Sequence, residues 1–220
     1  MVDPREAVAS TGVGVVVGVV LGAGSSSRLG RPKQTLPFGD RTLLAHVLGD
    51  IEASGLDRVV LVLGGSSTEA AASVPDTSRA EVVHNDAYGT GCASSLLAGL
   101  DTAGDCDAIV MLLGDMPGVT PAMIDTVVAR WQLAPSWAAV TVYRDGIGHP
   151  IVLSADSFPT LRTLHGDKAI WKIVDREPES RVARIPIDAK RPVDVDTWDD
   201  YVAVCGAFGY ESTAELAADD

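Results

Sequence analysis

Three short runs, Val15–Leu21, Val59–Leu63 and Ile109–Leu113, are apolar at nearly every position. A strand with one face in water alternates apolar and polar residues. An uninterrupted run of this length is covered on both faces, as in a parallel sheet. Glu81–His84 adds a fourth, less apolar strand. Helical patterns fall between the strands. Thr42–Ser54 places Leu43, Leu44, Val47, Leu48 and Ile51 on one face, with Gly55 expected to close the helix. Thr68–Ser73 and Ala93–Ala103 are further helices, and Thr120–Trp131 opens with Thr120 as cap and Pro121 in the first turn. The β-α-β-α order predicts an α/β fold: helices on both faces of a mostly parallel sheet, in three layers.

The second half reads differently. Ala138–Tyr143 and Ile147–Leu153 are close enough, across Arg144-Asp145-Gly146, to form a hairpin. Phe158–Leu164 and Lys168–Asp175 read as short helices, Arg181–Ile187 as a strand and Trp198–Val204 as a closing helix. This is a small C-terminal β/α elaboration of one domain over 13–206, with 1–12 and 207–220 expected to be flexible. No run approaches the roughly 18 apolar residues of a membrane span. Asp3 and Glu6 also sit where a signal peptide needs positive charge. Cys92, Cys106 and Cys205 form neither a disulfide framework nor a zinc pattern. These features predict a soluble, cytoplasmic protein with no membrane partner. A formal net charge of −13 argues against nucleic acid as a partner.

Against that acidity, Leu21-Gly22-Ala23-Gly24-Ser25-Ser26-Ser27-Arg28-Leu29-Gly30-Arg31-Pro32-Lys33 concentrates glycines and cations directly after the first strand. The glycines admit close approach and positive φ, so several N–H groups can face one anion, and Arg28 and Lys33 add full charges. The loop is neither a dinucleotide fingerprint, since Ser27 replaces the third glycine, nor a Walker loop, since Arg31 follows Gly30. It reads as a polyphosphate grip. Asp115, in Gly114-Asp115-Met116-Pro117, follows another buried strand and suits Mg²⁺, which takes one or two carboxylates plus phosphate oxygens. After the strand ending at His84, Gly89 and Gly91 permit close backbone approach to a nucleobase, and Ser94 and Ser95 add hydroxyls. Asp194 and Asp196 flank Val195 and share a face if extended; one can complete a metal site while the other caps the helix at Trp198.

No nucleophile elbow, Cys/His pair or histidine cluster is present; His46, His84, His149 and His165 are scattered. Attack of a substrate phosphate on the α-phosphorus of a nucleoside triphosphate fits this inventory. The attacking oxygen is already ionised, so the protein need only align it and neutralise charge.

The segments from Leu21 to Leu44, from Gly114 to Asp125 and from Asp194 to Tyr201 resemble the molybdenum cofactor nucleotidyltransferases, a MobA-like branch of the Rossmann-like nucleotidyltransferases. The likeness runs from about Val15 to Val204 and is strongest to the cytidylyltransferases. It implies Mg²⁺-dependent transfer of CMP from CTP to the phosphate of molybdopterin, with pyrophosphate released. Arg28, Lys33 and Asp115 would be catalytic, Asp115 and Asp196 would hold the metal, and Leu21, Gly22, Ala23, Gly24, Ser25, Gly89, Gly91 and Ser94 would bind the nucleotide. His149 and Lys168 would contact the acceptor, and a molybdenum hydroxylase would receive the product. The family's cytidine form reads Leu-Ala-Ala-Gly where this chain has Leu21-Gly22-Ala23-Gly24, keeping the alanine that crowds a purine. Alternatives are GTP as donor, another phosphorylated acceptor, or a non-catalytic carrier of the cofactor.

Overall fold

The computed structural model describes residues 14–24, 26–65, 67–167 and 169–212. In chain order the elements are β1 (Val16–Gly22), β2 (Pro37–Phe38), β3 (Arg41–Thr42), α1 (Leu43–Glu52), β4 (Arg58–Leu63), α2 (Ser67–Ala71), β5 (Glu81–His84), α3 (Cys92–Ala103), β6 (Ala108–Leu113), α4 (Pro121–Leu133), β7 (Ala138–Tyr143), β8 (Gly146–Ser154), α5 (Phe158–Leu161), α6 (Ala169–Val174), β9 (Val182–Pro186) and α7 (Trp198–Phe208). The main sheet runs β5-β4-β1-β6-β8-β7-β9. Only β8 runs against the rest of it, because the β7–β8 hairpin folds β8 back between β7 and β6.

All seven residues of β1 are buried, as its composition demands. One sheet face packs under α1 and α4 through Leu44, Val47, Leu48, Ile51, Ile124 and Val127. The other packs under α3 and α6 through Ala93, Leu96, Leu100, Ile170 and Val174. Gly99 lets α3 settle onto the sheet, since a Cβ there would lie 2.3 Å from Val19. Thr120 caps α4, its hydroxyl accepting from the Met123 N–H, with Pro121 in the first turn.

β1 pairs with β4 on one side and β6 on the other, with Leu21 opposite Leu113 and Gly22 opposite Leu63. The strands therefore end level, and the chain reverses its winding direction at β1. Such a switch point opens a crevice for ligand beyond the carboxyl ends of the strands.

Three expectations need correction. Gly55 does not close α1: the helix ends at Glu52 with Ala53 as right-handed C-cap, and the Gly55 N–H goes to Asp125 instead. The helix at Phe158 stops at Leu161, short of Leu164. Residues 207–212 are not a loose tail, because α7 continues to Phe208 and ends on Gly209 in a left-handed cap. The Phe208 and Tyr210 rings pack against Phe38 and His46, so burying aromatic surface fixes this end. Residues 1–13 and 213–220 lie outside the described residues.

Candidate active site

A third apolar cluster, separate from the two sheet faces, assembles the site. Leu29, Leu36, Phe38 and Leu43 from the stretch after β1 pack against Val195, Tyr201, Val204 and Cys205. Leu29 directly follows Arg28, and Val195 directly precedes Asp196, so burying these two residues brings the cation and the carboxylate together. Tyr201 reinforces the contact by donating its hydroxyl to the Pro37 carbonyl at 2.6 Å. The Val195 N–H donates to the Asp115 carbonyl at 3.0 Å and docks the same segment on the end of β6.

The result is a cavity of about 350 Å³ at the switch point, lined by Leu21, Ala23, Gly24, Ser26, Ser27, Arg28, Lys33, Tyr88, Gly89, Gly91, Cys92, Ser95, Leu113, Asp115, Asp167 and Asp196. Lys33 is its electrostatic centre. The ammonium forms an ion pair with Asp115 Oδ2 and lies 2.8 Å from Asp196 Oδ1, with the side chain only 7% exposed. Arg28 Nη2 takes the other oxygen of Asp196 at 3.0 Å. Backbone hydrogen bonding fixes this loop: the Lys33 N–H donates to Ser26 Oγ, and Gln34 Nε2 donates to the Gly22 carbonyl at 2.6 Å. Positive φ falls on Gly30 and on Ser26, not on Gly22 or Gly24. A non-glycine residue held in the left-handed region is strained, and such residues gather at functional sites.

Burial drives Asp115 above the ordinary carboxylate range, and the Lys33 charge opposes that rise. Burial also works against the charged form of Lys33, but Asp115 and then Asp196 outweigh it and raise the amine. Burial would raise Asp196 too, yet the hydrogen bonds and charges of Lys33 and then Arg28 hold it low. Asp115 Oδ1 is buried without a hydrogen-bond partner. A buried, orphaned carboxylate oxygen facing a second carboxylate across a cation fits a divalent metal.

Leu21, Ala23, Gly24, Arg28, Lys33, Gly89, Gly91, Asp115 and Asp196 thus line one cavity. Other expected residues are placed differently. Gly22 lies behind the wall, with its carbonyl engaged by Gln34. Ser94 is spent on its own loop: its single hydroxyl proton lies within reach of the Ala87 and Gly91 carbonyls, and its oxygen accepts from Asn85. Neighbouring Ser95 lines the cavity in its place. His149 is 5% exposed behind the cavity, with Nδ1 3.3 Å from the Met111 carbonyl and its ring edge-on to Trp171. Burial lowers its pKa to about 4, so the ring is neutral at physiological pH. Ser25 and Lys168 lie outside the described residues. Neither Asp194 nor Asp196 caps α7; Thr197 and Asp200 do so reciprocally.

Tyr88 and Asp167 also line the cavity, and sequence reasoning assigned neither side chain a role of its own. Gly64 and Gly65 make room for the Tyr88 ring, since a Cβ on Gly65 would lie 2.3 Å from it. Asp167 accepts the Cys92 N–H at 2.9 Å and caps α3, while Gly91, at φ +113°, lets the Gly166 backbone come close. The pattern Gly-Asp after a short helix carries no signal of this, because the partner is 75 residues away. The Cys92 thiol is pushed up to about 11 by burial and by Asp167, which leaves it without nucleophilic character.

Residues 18–182 match the MobA-like NTP transferase domain. The chain belongs to that family. It is a nucleotidyltransferase with the family's α/β fold. Over 170 residues it is 29% identical to nicotine blue oxidoreductase of Paenarthrobacter nicotinovorans, covering 74% of this chain and 83% of that protein. Over 136 residues it is 29% identical to molybdenum cofactor cytidylyltransferase of Escherichia coli K12, covering 62% and 68%. A solved structure of Rv0371C from Mycobacterium tuberculosis H37Rv, in complex with manganese, superposes with a TM-score of 0.75 at 35% identity, covering 88% of this chain and 99% of that one. No helix among the described residues is long and apolar enough to cross a membrane.

Proposed function

We propose that this nucleotidyltransferase transfers CMP from CTP to the phosphate of molybdopterin. A terminal phosphate oxygen of the acceptor forms the new bond to the α-phosphorus. The bond from that phosphorus to the β-bridging oxygen breaks, and its electron pair leaves with pyrophosphate. The observation that carries the reading is the convergence of Arg28, Lys33, Asp115 and Asp196 on one cavity. Arg28 and Lys33 neutralise the charge that grows on the leaving group. Asp115 and Asp196 would hold Mg²⁺, which supplies Lewis-acid polarisation of the phosphates. The mycobacterial relative was solved in complex with manganese, which supports a divalent ion for this chain.

Ala23 and Tyr88 border the part of the cavity assigned to the base. Ala23 stands in the cavity wall, where its methyl crowds a purine more than a pyrimidine, and the resemblance to the cytidylyltransferase points the same way. His149 braces β6 through Met111 in this reading. The product would pass to a molybdenum hydroxylase. Likeness to an oxidoreductase suggests a redox reading, but Ser27 breaks the dinucleotide fingerprint in the loop that would carry it. The test is pyrophosphate release with each of the four NTPs, Mg²⁺ and molybdopterin. Release with CTP alone is expected; equal or greater release with GTP overturns the cytidine assignment.

A further inference from the structure

The four charged groups of the site pair with one another, leaving only Asp115 Oδ1 among their carboxylate oxygens without a partner. Both oxygens of Asp196 are taken, one by Arg28 and one by Lys33, and Asp115 gives one oxygen to the same ammonium. Two cations face two carboxylates, so these four groups balance one another, while Asp167 in the wall adds a further carboxylate. Among the described residues no group of three or more His, Cys, Asp or Glu side chains could hold a metal. A metal ion arriving alone therefore finds two carboxylates with a lysine between them, and gains no further protein ligand by displacing it.

We propose that Lys33 is a resident cation holding the place of the divalent metal, and that metal and triphosphate bind by exchanging partners with it. Displacing Lys33 with a metal alone would strand a buried ammonium whose carboxylates have been taken. Drawing Lys33 onto a triphosphate alone would leave Asp115 and Asp196 facing each other without a countercharge. Each half-step leaves uncompensated charge in a partly dry site, which is costly. With both present, the carboxylates pass to the metal while Lys33 and Arg28 pass to the phosphates, and every charge keeps a partner. The backbone does not need to move, because Ser26 and Gln34 hold it on either side of the residue that swings. Binding is then positively coupled, and by linkage each ligand strengthens the other equally. The inference rests on the reading that a metal–triphosphate complex enters this cavity, but on neither the identity of the base nor that of the acceptor.

The test uses Mn²⁺ as a spin probe, titrated onto the full chain at pH 8 without nucleotide and followed by electron paramagnetic resonance. Lys33→Met keeps an unbranched side chain, one atom shorter, and removes its charge. It is expected to bind Mn²⁺ about tenfold more tightly than the parent, the order by which one close charge shifts a carboxylate equilibrium. Arg28→Met changes a side chain that is 65% exposed and puts no fold at risk. It should tighten Mn²⁺ by about two- to fivefold, in keeping with its weaker, screened contact. Equal or weaker Mn²⁺ binding in both variants than in the parent overturns the proposal. Adding Asp115→Asn to Lys33→Met separates the two levels of the argument. If it abolishes the tight binding, the metal sits at Asp115 and the exchange stands. If it leaves tight binding unchanged, the metal lies elsewhere, and both this proposal and the underlying reading of the site fail.

Discussion

The loops after β1 and after β5 lie at the same edge of the sheet, are both rich in glycine, and line one cavity. They spend their polar groups in opposite ways. After β5, Asn85 Nδ2 donates to Ser94 and Ser95, Ser94 donates back to its own loop, and the first N–H of α3 is taken by Asp167. Every one of those contacts would serve a folded chain with no ligand at all. After β1, the side chains that matter engage each other across the cavity, in pairs that leave Asp115 Oδ1 without a partner. Glycine content does not distinguish a binding loop from a structural one. What distinguishes them is whether charge is buried in an arrangement that the chain alone leaves incomplete.

The largest effects should follow from breaking the charged half. Asp115→Asn keeps the shape and removes the charge, and pyrophosphate release is expected to fall by about 10³-fold or more, with the far-ultraviolet circular dichroism unchanged. Undiminished turnover would remove Asp115 from the chemistry. Lys33→Ala should cost about 10²- to 10³-fold in kcat, and Arg28→Ala about tenfold, since its side chain is largely in water. If instead Asp167→Ala produced the larger loss of kcat, the contrast between the two loops would be reversed.

The contrast also explains what was legible beforehand. The sheet was readable because β1, β4 and β6 are covered on both faces and therefore apolar at nearly every position, the exposed Arg58 at the start of β4 excepted. Arg28, Lys33 and Asp115 stood out because buried strands delivered charged residues to one edge, where packing has no use for them. That Ser95 lines the cavity while Ser94 bonds within its own loop was not legible, since sequence shows two hydroxyls but not which side of the first helical turn each occupies. Asp167 as a cap, and the order of residues 207–212, depend on partners far away in the chain: the N-terminus of α3, and Phe38 with His46. Local pattern carries no trace of such contacts.

Beneath the charged half lies a neutral floor, and pH should separate the two. His149 is buried with its pKa lowered from 6.5 to about 4, burial being the main cause. Between these values the unfolded chain binds a proton that the folded chain refuses. Stability therefore rises with pH across this window and falls on acidification, by about 3 kcal/mol in all at pH 4. Urea unfolding at pH 7 and at pH 4.5 should show most of that loss in the parent and much less of it in His149→Gln. An equal loss in both proteins would mean that the ring is not held neutral by its surroundings.

The smallest effect tests the quiet loop itself. Asp167→Ala removes the oxygen that accepts the Cys92 N–H at 2.9 Å. Losing a helix cap costs about 1 kcal/mol, so the thermal midpoint should drop by a few degrees in a domain of this size. Removing a carboxylate from the cavity wall also takes away a negative charge that repels a triphosphate, so KM for the nucleotide should fall slightly while kcat stays within about twofold. Stability is lost while apparent affinity for the nucleotide is gained, a pairing that a purely structural or a purely catalytic residue would not produce. A drop in kcat to the level of Lys33→Ala, with no change in midpoint, would make Asp167 part of the machinery and abolish the distinction between the loops.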